Sequence, residues 1–199
     1  MAQLLRLQLL GRFYLTIGER SVQTVHTPRL QSLLAYLVLH RSEPKPRRQI
    51  AFALWPGFPE ARARANLRKL FFQLQQALPE AADYFEADGR TIQWRADAPF
   101  WLDVAEFERL ASQPGSCTDW QQAVDLYGGE LLPDCYDDWI ISWRERLRMQ
   151  FIEMLDQVIG HLEHAANYPM ALQQALRLLR HDPLRESTYR HLIRLHALN

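Results

Sequence analysis

Cysteine is scarce: Cys117 and Cys135 are the only two in 199 residues, and they stand at no metal-ligand spacing. That argues against a disulfide framework and against a zinc site, and two thiols in a reducing compartment are expected. No apolar run approaches the roughly 18 residues needed to span a bilayer. The opening MAQLLRLQLLGRF also lacks the pattern of a cleavable signal peptide. The chain reads as a soluble, cytoplasmic protein with no membrane partner. Missing too are a Gly-rich phosphate loop, a Gly-x-Ser-x-Gly turn and a His-Glu-x-x-His pair. No nucleophile, base and orienting group fall at recognisable spacing, so neither catalysis nor a cofactor is expected. His161 and His164 bracket Glu163 on a helical stretch, but a third ligand is not evident, and no metal is expected.

Net charge is likewise absent in total, though not in its parts. Residues 1–79 carry twelve Lys or Arg against three Asp or Glu, a net of +9, whereas residues 80–199 carry eleven against twenty, a net of −9. A basic half followed by an acidic half points to a polyanionic partner for the first and a different role for the second. With 48% hydrophobic residues, the chain can bury the core of one large domain or two small ones.

Within the basic half, the stretch Glu60 to Leu78 carries the most information. On a helix, Ala63, Leu67, Leu70, Phe71, Leu74 and Leu78 form one apolar stripe at spacings of three and four. The opposite face carries Arg62, Asn66, Arg68, Lys69, Gln73 and Gln76, and no acid occurs between Ala61 and Leu78. A basic helix face alone is commonly just solvated, but the flanks here are specific. Upstream, a short helical segment from Arg47 to Trp55 is closed by Pro56-Gly57, since proline cannot continue a helix and glycine permits a turn. Downstream, Asp83 to Ala87 and Thr91 to Arg95 read as strands joined by Asp88-Gly89, a short hairpin signal. Helix, connection, basic helix, hairpin is the order of a winged helix-turn-helix.

The remainder fits around this core. Leu5 to Leu9 and Phe13 to Ile17 alternate as strands of a small antiparallel sheet. Thr27-Pro28 offers an N-cap and a first-turn proline for a helix with the stripe Leu30, Leu33, Leu34, Leu37 and Val38. Arg47 and Arg48 stand at the mouth of the next helix, where free amides and cations together favour phosphate. Arg90 at the hairpin tip and Arg95 near its end are placed to reach a backbone or a minor groove. After Ala98-Pro99 the chain turns acidic and helical, with helices expected over 103–110, 119–127, 137–165, 169–180 and 183–198. Asp134, Asp137 and Asp138 read as capping and dipole-compensating acids ahead of the long helix, and Trp139 and Trp143 as core. Ala165-Ala166, Tyr168, Ala171, Ala175 and Asp182-Pro183 resemble one tetratricopeptide unit, with small residues where two helices touch.

Taken in order, LRLQLLGRF, TPRLQSLLAYLVLH, RRQIAFALWP, EARARANLRKLFFQLQQAL, WLDVAEFERL, LYGGELLPDCYDDWI with WRERL, and HDPLRESTYRHLIRL resemble the N-terminal part of regulators of the Streptomyces antibiotic regulatory protein type. The resemblance covers nearly the whole chain. It implies an α+β winged helix-turn-helix of the OmpR type over residues 1–98, followed by an all-α, tetratricopeptide-like bacterial transcriptional activator domain over 99–199. It further implies an activator that binds double-stranded DNA, contacts RNA polymerase and pairs as a homodimer on repeated sites. On this chain the base-contacting roles fall to Arg62, Asn66, Lys69 and Gln73. The phosphate-contacting roles fall to Arg47, Arg48, Arg68, Arg90 and Arg95, and the polymerase-facing loop is Pro56, Gly57 and Phe58. Two departures stand out. Thr91-Ile92-Gln93-Trp94 replaces the Gly-Tyr-Arg-Leu expected in the wing, and Phe71-Phe72 and Gln75-Gln76 stand where more basic residues are common. Phe72 lies near the exposed side, open to a thymine methyl or to a partner. The chain ends at Asn199 within what reads as an unfinished helical array, as expected of a fragment of a longer regulator. The alternative reading is a protein-interaction scaffold that keeps the winged helix and has lost DNA binding.

Overall fold

The structure is a computed structural model that describes residues 4–112 and 117–198. Two compact units emerge: residues 1–102 with 131–143, and residues 103–130 with 144–199.

The first unit opens with strands β1 (Leu5–Gln8), β2 (Tyr14–Ile17) and β3 (Arg20–Ser21). Leu5 and Leu7 turn inward and are fully buried while Arg6 between them is exposed, the alternation a half-covered sheet demands. Helix α1 (Pro28–Leu39) begins as expected, with the Thr27 hydroxyl accepting the Leu30 N–H at 3.4 Å and Pro28 in the first turn. Burial is not confined to the anticipated stripe. Every residue from Ser32 to Leu39 is buried, as in a helix packed on all sides. A two-residue strand β4 (Lys45–Pro46) leads into α2 (Arg47–Leu54) and then α3 (Glu60–Ala77). A short 3-10 turn over Ala81–Asp83 precedes β5 (Phe85–Ala87) and β6 (Thr91–Trp94), which pair antiparallel as the predicted hairpin. Strand β4 adds to the far edge of β6, so the wing is a three-stranded sheet in the order β4-β6-β5.

The composition changes at residues 98 and 99, but the sheet does not stop there. Strand β7 (Phe100–Leu102) runs parallel to β1 and completes a four-stranded sheet in the order β3-β2-β1-β7. Leu131 bridges to Leu10, and the Leu132 N–H donates to the Leu9 carbonyl at 2.8 Å. Asp137 then accepts hydrogen bonds from Arg29 and from the Ser32 hydroxyl, both at 2.6 Å. Its carboxylate therefore does not cap the 3-10 turn Asp138–Ile140 as expected of it but pins the segment to α1. The reason is that α1 buries Ser32, whose hydroxyl must find an acceptor. Trp139 is part-buried, its indole N–H donating to the Ser32 hydroxyl oxygen at 3.3 Å. Trp143 meets the His40 ring edge at a centroid distance of 5.8 Å.

The second unit is helical: α4 (Asp103–Ser112), α5 (Cys117–Leu126), the greater part of α6 (Ile141–His164), α7 (Tyr168–His181) and α8 (Glu186–Leu198). Phe151, Ile152, Leu155, Val158 and Ile159 form the inward side of α6. Ala171 and Ala175 are fully buried on α7, as small residues at a close helix contact should be. Arg177 donates to the carbonyls of Val124 at 2.9 Å and Tyr127 at 3.3 Å, satisfying acceptors left open at the end of α5. Burial against Phe151 pushes the Tyr127 phenol up to about 12. Among the described residues no helix is long and apolar enough to cross a membrane.

Candidate nucleic-acid interface

Helix α3 presents two unlike faces. Ala63, Leu67, Leu70, Phe71 and Leu74 are buried against the rest of the first unit. Its start carries Glu60, an acid suited to a helix N-terminus. Beyond that first turn its exposed side holds only cations, amides, alanine and one phenylalanine: Arg62, Arg64, Ala65, Arg68, Lys69, Phe72, Gln73, Gln75 and Gln76. Of the four base-contacting candidates, Arg62, Lys69 and Gln73 are exposed and Asn66 is half-buried. Taking 100° per residue, all four lie within one quadrant of the helix surface. The Arg62 guanidinium lies 5.0 Å from the Phe58 ring centroid, a cation–π contact that holds it beside the α2–α3 loop.

The five phosphate-contacting candidates fall into three groups. Arg68 and Arg90 are exposed. Arg48 is exposed but leans on Glu60 at 3.3 Å, and Glu60 also lies 3.9 Å from Arg64. Arg47 and Arg95 are engaged more closely. The Arg47 Nε–H donates to the Asp88 carbonyl at 2.8 Å, its backbone N–H donates to the Arg90 carbonyl at 2.8 Å, and its guanidinium lies 5.6 Å from the Phe71 ring centroid. Burial draws its pKa down, Asp88 opposes the shift, and neighbouring Arg68 adds to it. Arg47 thus ties the hairpin to the start of α2. Arg95 makes two parallel bonds to Asp97, at 3.0 and 2.8 Å, which raise the guanidinium pKa and lower that of the carboxyl. At the hairpin tip, the Asp88 carboxylate accepts the N–H groups of Arg90 and Thr91 at 2.7 and 2.6 Å, which holds its pKa down.

Two hollows in this unit went unanticipated. One, of about 350 Å³, is lined by Arg47, Arg64, Leu67, Arg68, Asp88 and Gly89, where α3 meets the hairpin. Arg64 was legible, since it stands four residues before Arg68 and shares its side of the helix. The other, of about 490 Å³, lies along α2 and the loop after it, lined by Phe52, Trp55, Pro56 and Phe58 with Arg48 and Glu60 at its rim. Phe52 is 69% exposed. The loop residues Pro56, Gly57 and Phe58 are all exposed.

In the helical unit, His164 Nδ1 lies 2.6 Å from the Gly160 carbonyl, and the Glu163 carboxylate is held by His191 at 2.7 Å and Arg194 at 3.1 Å. Among the described residues no three candidate ligands gather where they could hold a metal ion. Cys135 is buried, with its sulfur 3.8 Å from the Asp137 carboxylate. The Cys117 side chain lies outside the described residues.

A three-helix body with a β-hairpin wing and an outward-facing basic helix, joined to an all-α domain, defines the class: a winged helix-turn-helix protein with a helical second domain. Residues 102–198 match the family model described as Bacterial transcriptional activator domain. No curated protein sequence matches the chain. Among solved structures, it is similar to Mycobacterium tuberculosis EmbR in complex with a low-affinity phosphopeptide, with a TM-score of 0.72 and 19% identity. That similarity covers 99% of this chain and 55% of the other, so the present chain spans about half the length of that protein. Residues 102–198 thus carry a bacterial transcriptional activator domain, and the likeness to EmbR is one of fold.

Proposed function

We propose that the protein is a sequence-specific DNA-binding activator that lays α3 in the major groove. Arg62, Asn66, Lys69 and Gln73 contact base edges in this reading, since cations and amides are the side chains that match the donor and acceptor pattern there. Arg48, Arg68 and Arg90 contact phosphates, and Arg64 joins them. Arg47 and Arg95 serve the same backbone less directly, the first by fixing the hairpin and the second only by exchanging Asp97 for phosphate. The loop Pro56 to Phe58 faces RNA polymerase, and protomers pair on repeated sites. The observation that carries the reading is the exposed face of α3, which holds no acid beyond Glu60 within a segment of net charge +9.

The test compares variants on a preferred duplex and on random DNA. Asn66→Ala is expected to lower affinity for the preferred duplex by about 1 to 3 kcal/mol while leaving random DNA unchanged. Arg48→Ala and Arg90→Ala should weaken both alike and flatten the dependence on salt, because each removes about one phosphate contact. Equal effects of Asn66→Ala and Arg48→Ala on the two duplexes would defeat these assignments. A flat response to salt and to sequence would favour the scaffold reading instead.

A further inference from the structure

The adjacent residues Phe71 and Phe72 part company on α3. Phe71 is buried, its ring edge-on to Phe85 at 5.8 Å, whereas Phe72 is 60% exposed. Phe72 does not sit at the margin of the exposed face. At 100° per residue it lies 60° from Lys69 and 40° from Gln76, with Ala65 seven residues earlier almost in line with it. The buried stripe lies on the far side. An apolar ring near the middle of a polar, basic surface is complemented by a partner whose own surface is polar with an isolated apolar spot. A protein partner that packed on a hydrophobic patch would find none here, since the ring's neighbours on the helix surface are Arg68, Lys69, Gln73, Gln75 and Gln76. The major-groove edge of a T·A pair meets the description: hydrogen-bonding groups flanking one methyl.

We infer that Phe72 is a specificity-determining residue that reads the 5-methyl group of a thymine at a fixed place in the site. The inference rests on the major-groove docking of α3 proposed above. It adds what the cations and amides cannot supply, because no hydrogen bond distinguishes thymine from uracil. The contact makes the preferred site depend on a methyl group, not only on the pairing edge of the base.

The test starts by selecting preferred duplexes from a random library with the whole chain, then replaces each thymine in turn by deoxyuridine, which deletes the methyl and keeps every hydrogen-bonding group. At one thymine per bound protomer the replacement is expected to weaken the wild-type chain about fourfold, the burial of roughly one methyl group. It should leave Phe72→Ala unaffected there, and Phe72→Leu should keep part of the response. Because Phe72 is exposed, both variants are expected to fold, and their melting curves verify it. The double-mutant cycle isolates the contact from any general effect of uracil on the duplex. A uracil penalty of the same size in wild type and Phe72→Ala at every position overturns the inference. So does a Phe72→Ala chain weakened equally on all duplexes, which would place the ring against a second protein. If a folded wild-type chain selects no sequence at all, the DNA-binding reading fails first and the methyl contact with it.

Discussion

His40 shows how a single side chain couples this fold to pH. It stacks on Tyr36 at a centroid distance of 4.3 Å and meets the edges of Trp139 and Trp143 at 6.4 and 5.8 Å. Its Nδ1 lies 2.8 Å from the Tyr36 carbonyl and therefore carries the donated hydrogen. Burial holds its pKa below the ordinary value; the Tyr36 hydrogen bond opposes the shift, the Lys45 charge adds to it, and Glu43 opposes. His181 is shifted the same way, by burial and then by Arg177, Arg180 and Arg148. A base depressed in the folded state takes up its proton more readily once unfolded, so unfolding binds protons in that interval. The stability each histidine contributes is complete above about pH 6.5 and declines as pH falls from there toward the folded pKa. Thermal melts are therefore expected to show Tm falling between pH 7.5 and 5.5, well above the range where carboxylates titrate. His40→Gln and His181→Gln should each reduce that slope, whatever they do to Tm at pH 7.5. A slope unchanged in both would mean that neither ring is the group being charged.

Among the elements, the wing joins its hydrogen-bonded turn to a buried aromatic cluster. Trp94 on β6 is buried, with ring centroids of Tyr84, Phe85 and Phe100 at 6.0, 5.3 and 5.2 Å. Its indole N–H is buried with no hydrogen-bond partner among the described residues. Trp94→Ala is expected to destabilise the first unit by about 3 to 5 kcal/mol, the usual range for removing a large buried aromatic. Trp94→Phe should be far milder, since it keeps most of the contacts and removes an unsatisfied donor. Chemical denaturation reads both, and equal losses would show that the indole itself is needed. The departure from the expected wing residues thus serves packing: Ile92 and Trp94 point inward while Thr91 and Gln93 stay half-exposed. This hairpin was legible because its signal is local, an Asp-Gly turn between alternating residues. The same holds for α1, announced by Thr27-Pro28, and for α3, announced by its stripe. Strand β7 was not legible, because Phe100–Leu102 pairs with Leu5–Leu7 at the other end of the first unit and carries no marker of that pairing. At the candidate interface, the sequence showed which side chains α3 turns outward. It could not show that Arg47 is already bonded to the Asp88 carbonyl, because that contact joins residues 41 apart and arises only when the hairpin closes against α2. The Arg95–Asp97 pair, two residues apart, was within reach of a local reading.

At the scale of the whole molecule, the winged-helix unit is discontinuous along the chain. Residues 131–143 return to it after α4 and α5 have been laid down in the other unit. The returning segment brings the Leu10–Leu131 bridge, the Leu132 to Leu9 hydrogen bond and the Asp137 clamp on Arg29 and Ser32. A chain cut at residue 98, where the composition changes, would lose these contacts and β7 as well. It would leave the edge of β1 unpaired and the buried hydroxyl of Ser32 without its acceptor, while stripping cover from Leu9 and Leu10. Each of these is a recognised route to instability or aggregation. A fragment of residues 1–98 is therefore expected to melt without a cooperative transition or to aggregate, whereas 1–143 should melt cooperatively even with 103–130 reduced to a tether. Asp137→Ala in the longer fragment should move it toward the shorter one, lowering Tm without abolishing the transition. Should 1–98 unfold as cooperatively and at the same temperature as 1–143, the returning segment would be an ornament on the winged helix and not a part of it.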